Sequence, residues 1–196
     1  MARLSLICPT IGRGTLSQLV DSVRSQMHPG DEFIIVGDGP QPGINAAGLN
    51  AMPGVRYVET PTRTGDFGCT PCDYGIEIAT GDLVFFIGDD DVCPEGAFDA
   101  IHKGVESDPD VPHIFSMMHT GRKLGNSINC CYVSGQQIVV PRDMSKMPRM
   151  ADCDPGQIAV SDWVFIDKVH RAWNMRTLFH QEIIAILYNQ NNGRML

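Results

Sequence analysis

LVFFIGDDDVCPEG, residues 83–96, sets five apolar side chains in a row and then three aspartates, Asp89, Asp90 and Asp91, with no basic residue among them. A short run of Leu, Val, Phe and Ile bounded by Gly reads as a strand buried on both faces. Adjacent carboxylates at the mouth of such a strand repel one another, which is costly unless a cation or solvent offsets the charge. Two explanations fit. Oxygen-only ligands point to Mg²⁺ or Mn²⁺, which bind through one or two carboxylates and complete their shell with phosphate oxygens and water. The plainer alternative is a solvated acidic turn that favours the next helix N-terminus through its dipole.

Working outward, LSLIC (4–8) and FIIV (33–36) repeat the pattern of a short apolar run ending at Pro or Gly. Between them Leu16, Leu19, Val20, Val23 and Met27 recur at helical spacing until His28, Pro29 and Gly30, which makes one β-α-β unit. TPCDYGIEIATGD (70–82) predicts a helix with Thr70 as N-cap, Pro71 in the first turn, Asp73 closing a capping box and Gly81 past its end. Pro94 and Glu95 open another helix, with Phe98, Ile101 and Val105 on one face. HIFSMM (113–118) and CYVSGQQIVV (131–140) read as strands, the second with a Ser-Gly turn inside it, which makes the sheet mixed. Residues 141–160 carry no clear period and read as a mobile loop or lid. Ser161 then caps a last long helix with Ile166, Val169 and Trp173 on one face, and NQNNGR (189–194) reads as a fraying end.

A chain of 196 residues with 43% apolar and 19% charged residues is large enough for one domain with a full core. Its formal charge of −8 would repel polyanions, against nucleic acid or an anionic membrane as the main partner. MARLSLICPT leaves no room for a signal-peptide core or a membrane span, so the expected location is cytoplasmic. Seven cysteines, an odd number without small-scaffold spacing, read as reduced thiols. Cys69 and Cys72 form a CxxC, but Cys130 and Cys131 are poorly spaced to complete a zinc site with them.

The three parallel strands end in PT (Pro9, Thr10), GDG (Gly37 to Gly39) and GDDD (Gly88 to Asp91), so their polar residues gather at one edge of the sheet. In open α/β sheets that carboxyl edge is where ligands bind. Singly, Thr10 and Asp38 are equally well explained as turn residues serving their own backbone.

SLICPTIGRGTLSQLVDSVRSQMHPGDEFIIVGDG, ATGDLVFFIGDDDVCPEGAF and, much later, SDWVFIDKV together resemble a family 2 glycosyltransferase of the GT-A fold. The resemblance implies an α/β fold with a mixed, mostly parallel Rossmann-like sheet flanked by helices. It implies one domain over 1–196, with 1–105 binding the nucleotide and 106–196 forming the acceptor part. Carried over by position, Thr10 and Asp38 would contact the nucleotide base and ribose, with Arg13 nearby. Asp90 would be the best-placed ligand for Mn²⁺ or Mg²⁺, with Asp89 toward the nucleotide and Asp91 beside it, and His180 would complete the metal site. Asp162 of SDW falls where such enzymes place the general base.

The chain departs from the family pattern at three places. Gly37 replaces the first of two acidic residues after the second strand, Gly88 stands where the metal motif usually begins, and Cys72 and Asp73 replace a frequent Arg-Asn pair. Arg63, Lys123 or Arg122 would then supply the missing cation near the diphosphate. His170 reads as a partly exposed helix residue, Trp163 as an acceptor-groove residue and Trp173 as core.

The resemblance implies an inverting, metal-dependent transfer from a nucleotide-diphosphate sugar, UDP-sugar favoured, to a hydroxyl of a saccharide, lipid-linked or protein acceptor. A sugar-nucleotide nucleotidyltransferase would share the sheet and the aspartates but usually carries a glycine-rich basic loop after the first strand, which PTIGRGT only weakly imitates. A GT-A-like module that binds a nucleotide or a protein without turnover is the alternative from another class.

Overall fold

The structure, a computed structural model, describes residues 2–125, 127–130, 132–189, 194 and 195. In chain order the elements are β1 (Leu4–Thr10), α1 (Leu16–Arg24), β2 (Glu32–Gly37), α2 (Ala46–Asn50), β3 (Val55–Glu59), α3 (Cys69–Ile78), β4 (Leu83–Phe86), β5 (Asp91–Val92), α4 (Ala97–Val105), β6 (His113–His119), β7 (Arg122–Leu124), β8 (Ile138–Pro141), α5 (Ser161–Ala172), β9 (Leu178–Asn189) and β10 (Arg194–Met195). Short 3₁₀ turns occupy Gly135–Gln137 and Pro155–Val160.

One sheet runs in the order β10-β9-β6-β8-β4-β1-β2-β3. β3, β2, β1 and β4 are mutually parallel, β8 is antiparallel to both β4 and β6, and β9 runs parallel to β6. This is the mixed, mostly parallel α/β sheet expected. Alternate residues of each central strand feed opposite faces. Leu4, Leu6, Phe33, Ile35 and Phe85 pack with α1 and α4 on one side. Ile7, Ile34, Val36, Val84 and Phe86 pack with α3 and α5 on the other. With both faces covered, the central strands carry polar side chains only at their ends, Ser5 and Glu32 paired near the amino ends and the rest at the carboxyl edge.

Several expectations need correction. VRYVE forms β3, a fourth parallel strand absent from the reading of the sequence, because its polar alternation hides a half-buried edge strand. α3 begins two residues earlier, at Cys69 after a left-handed Gly68, with no side-chain cap from Thr70. Asp66 instead accepts from Thr70 N (3.0 Å) and Thr70 Oγ1 (2.6 Å). Asp73 closes no capping box: its carboxylate accepts from Met150 N (2.6 Å) and Ala151 N (3.0 Å), so the supposed mobile segment 141–160 is pinned to α3 at its middle. Ser161 is the first residue of α5 rather than its cap, and Val160 takes that position. Among the described residues of 131–140 only 138–140 are in a strand. After α5 the chain enters the long β9. Cys131, one of the cysteines judged poorly spaced for zinc, and residues 190–193 of the supposed fraying end lie outside the described residues.

Candidate active site

The loop after β1 is organised around Asp89, whose side chain is wholly buried. Thr10 Oγ1 donates to Asp89 Oδ2 (2.6 Å), Ile11 N donates to the same oxygen (3.2 Å), and Arg13 Nη1 pairs with Oδ1. Thr15 Oγ1 closes the ring by donating to the Asp89 carbonyl (2.7 Å). A buried carboxylate is tolerated when paired and hydrogen-bonded, and both conditions hold here. Part of the triplet's charge is therefore neutralised by the protein itself.

The other two aspartates are unlike Asp89. Asp90 keeps 28% of its side chain exposed, with Arg13 Nη1 3.8 Å from its Oδ1. Asp91 is buried, and its Oδ2 accepts from Gly88 N (3.1 Å) and Gln136 Nε2 (3.0 Å) while its Oδ1 has no hydrogen-bond partner among the described residues. Burial, and then the neighbouring charge of Asp90, push its carboxyl up to about 7. Gly88 sits between them: a Cβ there would lie 2.9 Å from Asp91 Oδ2 and 3.0 Å from Asp90 Oδ1. This glycine cradle, lined by carboxylate oxygens with one orphaned oxygen nearby, suits a hard divalent cation. No group of three or more His, Cys, Asp or Glu side chains converges among the described residues, so such an ion would draw the rest of its shell from substrate and water.

Asp38, at the end of β2, is buried and held by the loop after β3. Thr64 N (2.7 Å) and Thr64 Oγ1 (2.8 Å) donate to Oδ1, and Gly65 N (2.9 Å) to Oδ2. Burial opposes ionisation, but these donors and the charge of Arg63 outweigh it and hold the carboxyl below its ordinary value. Gly39 makes this approach possible: its φ is +73°, and a Cβ would stand 2.6 Å from the backbone N of Arg63.

Asp162 lies in the first turn of α5. Its Oδ2 accepts from Gly135 N (3.0 Å) and stands 2.8 Å from Ser134 Oγ. Ser134 Oγ also lies against Gln136 Oε1, and its single proton serves one acceptor at a time. The turn is held by Gln137, whose Oε1 accepts from Ser134 N (2.9 Å) and whose Nε2 donates to Phe115 O (3.1 Å) on β6. Gln136 thus links Asp91 to the turn that holds Asp162.

These groups open into one cleft of about 400 Å³, lined by Thr10, Arg13, Asp38, Arg63, Asp89, Asp90 and Asp162 among others. A family model for glycosyl transferase family 2 matches residues 5–126, more than half of the chain. The chain belongs to that family. Solved structures with the same fold include S. aureus TarS 1-349 in complex with UDP-GlcNAc, at 15% identity and TM-score 0.74, covering 98% of this chain and 60% of that one. S. aureus TarS 1-349 without that ligand matches at 15% identity and TM-score 0.72, over 93% and 59%. The chain therefore spans about three fifths of the length of these relatives. No curated protein sequence matches the chain.

Of the site residues expected of a family 2 member, seven line the cleft and Asp91 stands behind it on Gln136. His180 does not join them. It stacks on Phe115 (4.3 Å between centroids) and bonds to His113 (2.8 Å between Nε2 and Nδ1). It is six residues along β9 from Ile186, the partner of Val92, on the order of 15–20 Å at about 3.3 Å per residue. Lys123 and Arg122 also lie away from the cleft, Lys123 Nζ donating to Gln181 (3.2 Å) and Arg122 pairing in β7 with His119. Arg63 remains as the exposed cation on the rim. Cys69 and Cys72 are buried with thiols raised above their ordinary value by burial. His170 bonds to Thr177 (2.7 Å), and Trp173 is core, donating to Asp110 O (3.0 Å).

Sequence reasoning missed Phe67, Ser134 and Gln136. Phe67 is 78% exposed with φ +57°, an uncommon conformation for an aromatic residue. The only signal available was a bulky residue between two glycines in GDFG. SGQQ carried none, since a polar turn before a strand is ordinary.

Proposed function

We propose that this domain transfers a sugar from a nucleotide-diphosphate sugar, a UDP-sugar foremost, to an acceptor hydroxyl in a single displacement that inverts the anomeric carbon. The observation that carries it is that Thr10, Asp38, Asp90 and Asp162, from four separate segments, open into one cleft at the carboxyl edge of the sheet. The fold shared with S. aureus TarS in complex with UDP-GlcNAc and in complex with UDP supports a nucleotide-sugar donor.

Thr10 and Asp38 bound the nucleoside end of the cleft, and Arg63 on its rim faces the diphosphate. Asp90 and Asp91 would hold a divalent cation, Mn²⁺ or Mg²⁺, which when bound supplies positive charge for the leaving diphosphate. Asp162 takes the acceptor proton. Its Oδ2 is fixed by Gly135 N and Ser134, leaving Oδ1, which makes no hydrogen bond among the described residues, to receive it. The acceptor oxygen bonds to the anomeric carbon as the bond to the diphosphate oxygen breaks, and the electron pair leaves with the nucleotide.

A module that binds a nucleotide or a protein without turnover is the second reading, favoured by the cation Arg13 already seated on the triplet. Calorimetric titration of UDP, GDP, CDP and dTDP, with Mn²⁺ and with EDTA, on the wild type and on Asp90→Ala separates these. Binding of one nucleotide that requires both Mn²⁺ and Asp90, with free nucleotide released from its sugar donor, is the expected result. Tight binding that ignores EDTA and gives no turnover would favour the module, and no binding of any nucleotide would remove the donor site.

A further inference from the structure

A second cleft of about 450 Å³ adjoins the donor cleft, and Phe67, Gln136 and Asp162 line both. Resting on the function proposed above, we infer that this second cleft receives the acceptor, and that the acceptor is an uncharged glycoside whose reacting hydroxyl lies beside an apolar aglycone. An acceptor whose sugar carries a phosphate or carboxylate does not fit it.

Three observations carry this. Six apolar side chains share the wall with the polar ones: Met117, Leu124, Val133, Ile158, Trp163 and Leu187, from β6, β7, the chain before β8, the 3₁₀ turn at 155–160, α5 and β9. Trp163 spends its one polar atom internally, Nε1 donating to Ile128 O (3.1 Å), so the ring offers the cleft only its carbon face. Such faces suit both alkyl or aryl groups and the C–H side of a sugar ring.

Charge decides the rest. Asp162 is the one Asp, Glu, Lys or Arg among the described residues lining this cleft; its other polar groups are His119, Ser134, Gln136 and Ser161. An anionic acceptor would meet a carboxylate with no cation among the described lining residues to pair it. Phosphate recognition ordinarily uses Arg, Lys or a helix N-terminus free of acidic side chains, and here the N-terminus of α5 is occupied by Asp162 itself.

The volume lies in the range of small-molecule sites, about 300–1,000 Å³, enough for one sugar ring and a short aglycone. The two clefts meet at Asp162, whose unengaged Oδ1 is the atom a hydroxyl arriving from either side would address.

The test is binding to the whole 196-residue chain, by calorimetry and ligand-observed NMR, of octyl β-glucoside below its micelle concentration, 4-nitrophenyl β-glucoside, glucose and glucose 6-phosphate. The expected result is that both apolar glucosides bind at least about 10-fold more tightly than glucose, which one buried apolar group readily supplies, and that glucose 6-phosphate binds no better than glucose. Leu124→Lys, at an exposed edge strand, should weaken the apolar glucosides and raise glucose 6-phosphate at least about 5-fold through the new cation. Ile158→Gln, outside the sheet, should weaken the apolar glucosides without the second effect. Equal binding of all four sugars, preference for the phosphate in the wild type, or octyl glucoside binding untouched by both variants would overturn the inference. The nucleotide titration fails or succeeds separately: UDP binding with no apolar preference removes this acceptor class and leaves the donor site standing, whereas apolar preference without nucleotide binding keeps the cleft and removes the transferase.

Discussion

Asp73 on α3 holds Met150 through a 2.6 Å hydrogen bond from the backbone N–H, across 77 residues of chain. A buried side chain standing where the family usually has a polar pair has become the anchor of the segment that borders the donor cleft, with Met150 itself in the cleft wall. Asp73→Ala should leave two backbone N–H groups without their acceptor, at about 1–3 kcal/mol each where they remain buried. Limited proteolysis should show faster cleavage within 145–155, and chemical denaturation a lower midpoint. Unchanged cleavage there would mean that other contacts hold the segment.

Asp162→Asn keeps the shape and an acceptor oxygen for Gly135 N and Ser134 but cannot take a proton. Transfer to the acceptor should fall about 10²–10⁴-fold, the usual contribution of a general base. Nucleotide affinity should stay within about 2-fold of wild type. Equal loss of both in transfer assays and calorimetry would show that Asp162 serves donor binding instead.

Arg13 is the only cation within 4 Å of Asp89 among the described residues, and it is 40% exposed whereas its partner is wholly buried. Removing one member of a fully buried pair costs about 3–5 kcal/mol because a charge is left unpaired, and the exposure of Arg13 moves the expectation for Arg13→Ala to about 1–3 kcal/mol. Urea unfolding should show it, with Arg13→Lys recovering part. An Arg13→Ala protein as stable as wild type would mean that Thr10 and the backbone N–H of Ile11 suffice.

His113 and His180 titrate as a linked pair. His113 Nε2 lies 2.9 Å from the Asp108 carbonyl, which only accepts, so His113 Nδ1 is the acceptor and His180 Nε2 the donor between the rings. Burial holds both imidazoles below their ordinary value, opposed on His113 by the bond to Asp108 and on His180 by Glu182. The sign follows: each unfolded histidine binds its proton near pH 6.5, and each folded one only at lower pH. Their stabilisation is therefore complete above about pH 6.5 and is lost as pH falls toward the folded values. Melting temperatures between pH 8 and 5 should decline for wild type, and His180→Phe, which keeps the stack on Phe115, should decline less steeply. The same slope in both proteins would remove the pair from the acid response.

Much of the fold was legible because it rests on patterns the chain carries locally. Apolar runs at 4–8, 33–36 and 83–87 end at Pro or Gly, helical spacing lies between them, and these mark a parallel sheet with its polar residues at one edge. β3, a half-buried edge strand, and β9, exposed over much of its first half, escaped because their mixed polarity is not distinguished from loop in a single sequence. The same limit governed the site. Thr10, Asp38 and Asp90 stood out at strand ends and Asp162 entered through the family resemblance, and the structure brings all four to one cleft. His180 was misplaced because its distance from the aspartates depends on how far along β9 it lies.

The sequence alone determined that a hydrophobic parallel sheet delivers acidic residues to one edge, since side-chain alternation and turn chemistry are short-range properties. Only the tertiary structure decided how those acids divide: Asp89 neutralised by Arg13, Asp91 buried behind Gln136, Asp90 left facing the cleft. It also decided that Asp162 lines two adjoining clefts, the first with Arg13 and Arg63 on its wall and the second with no Lys or Arg among its described lining residues. Both are consequences of which distant segments meet, and that depends on how the whole core closes rather than on any stretch of chain read by itself.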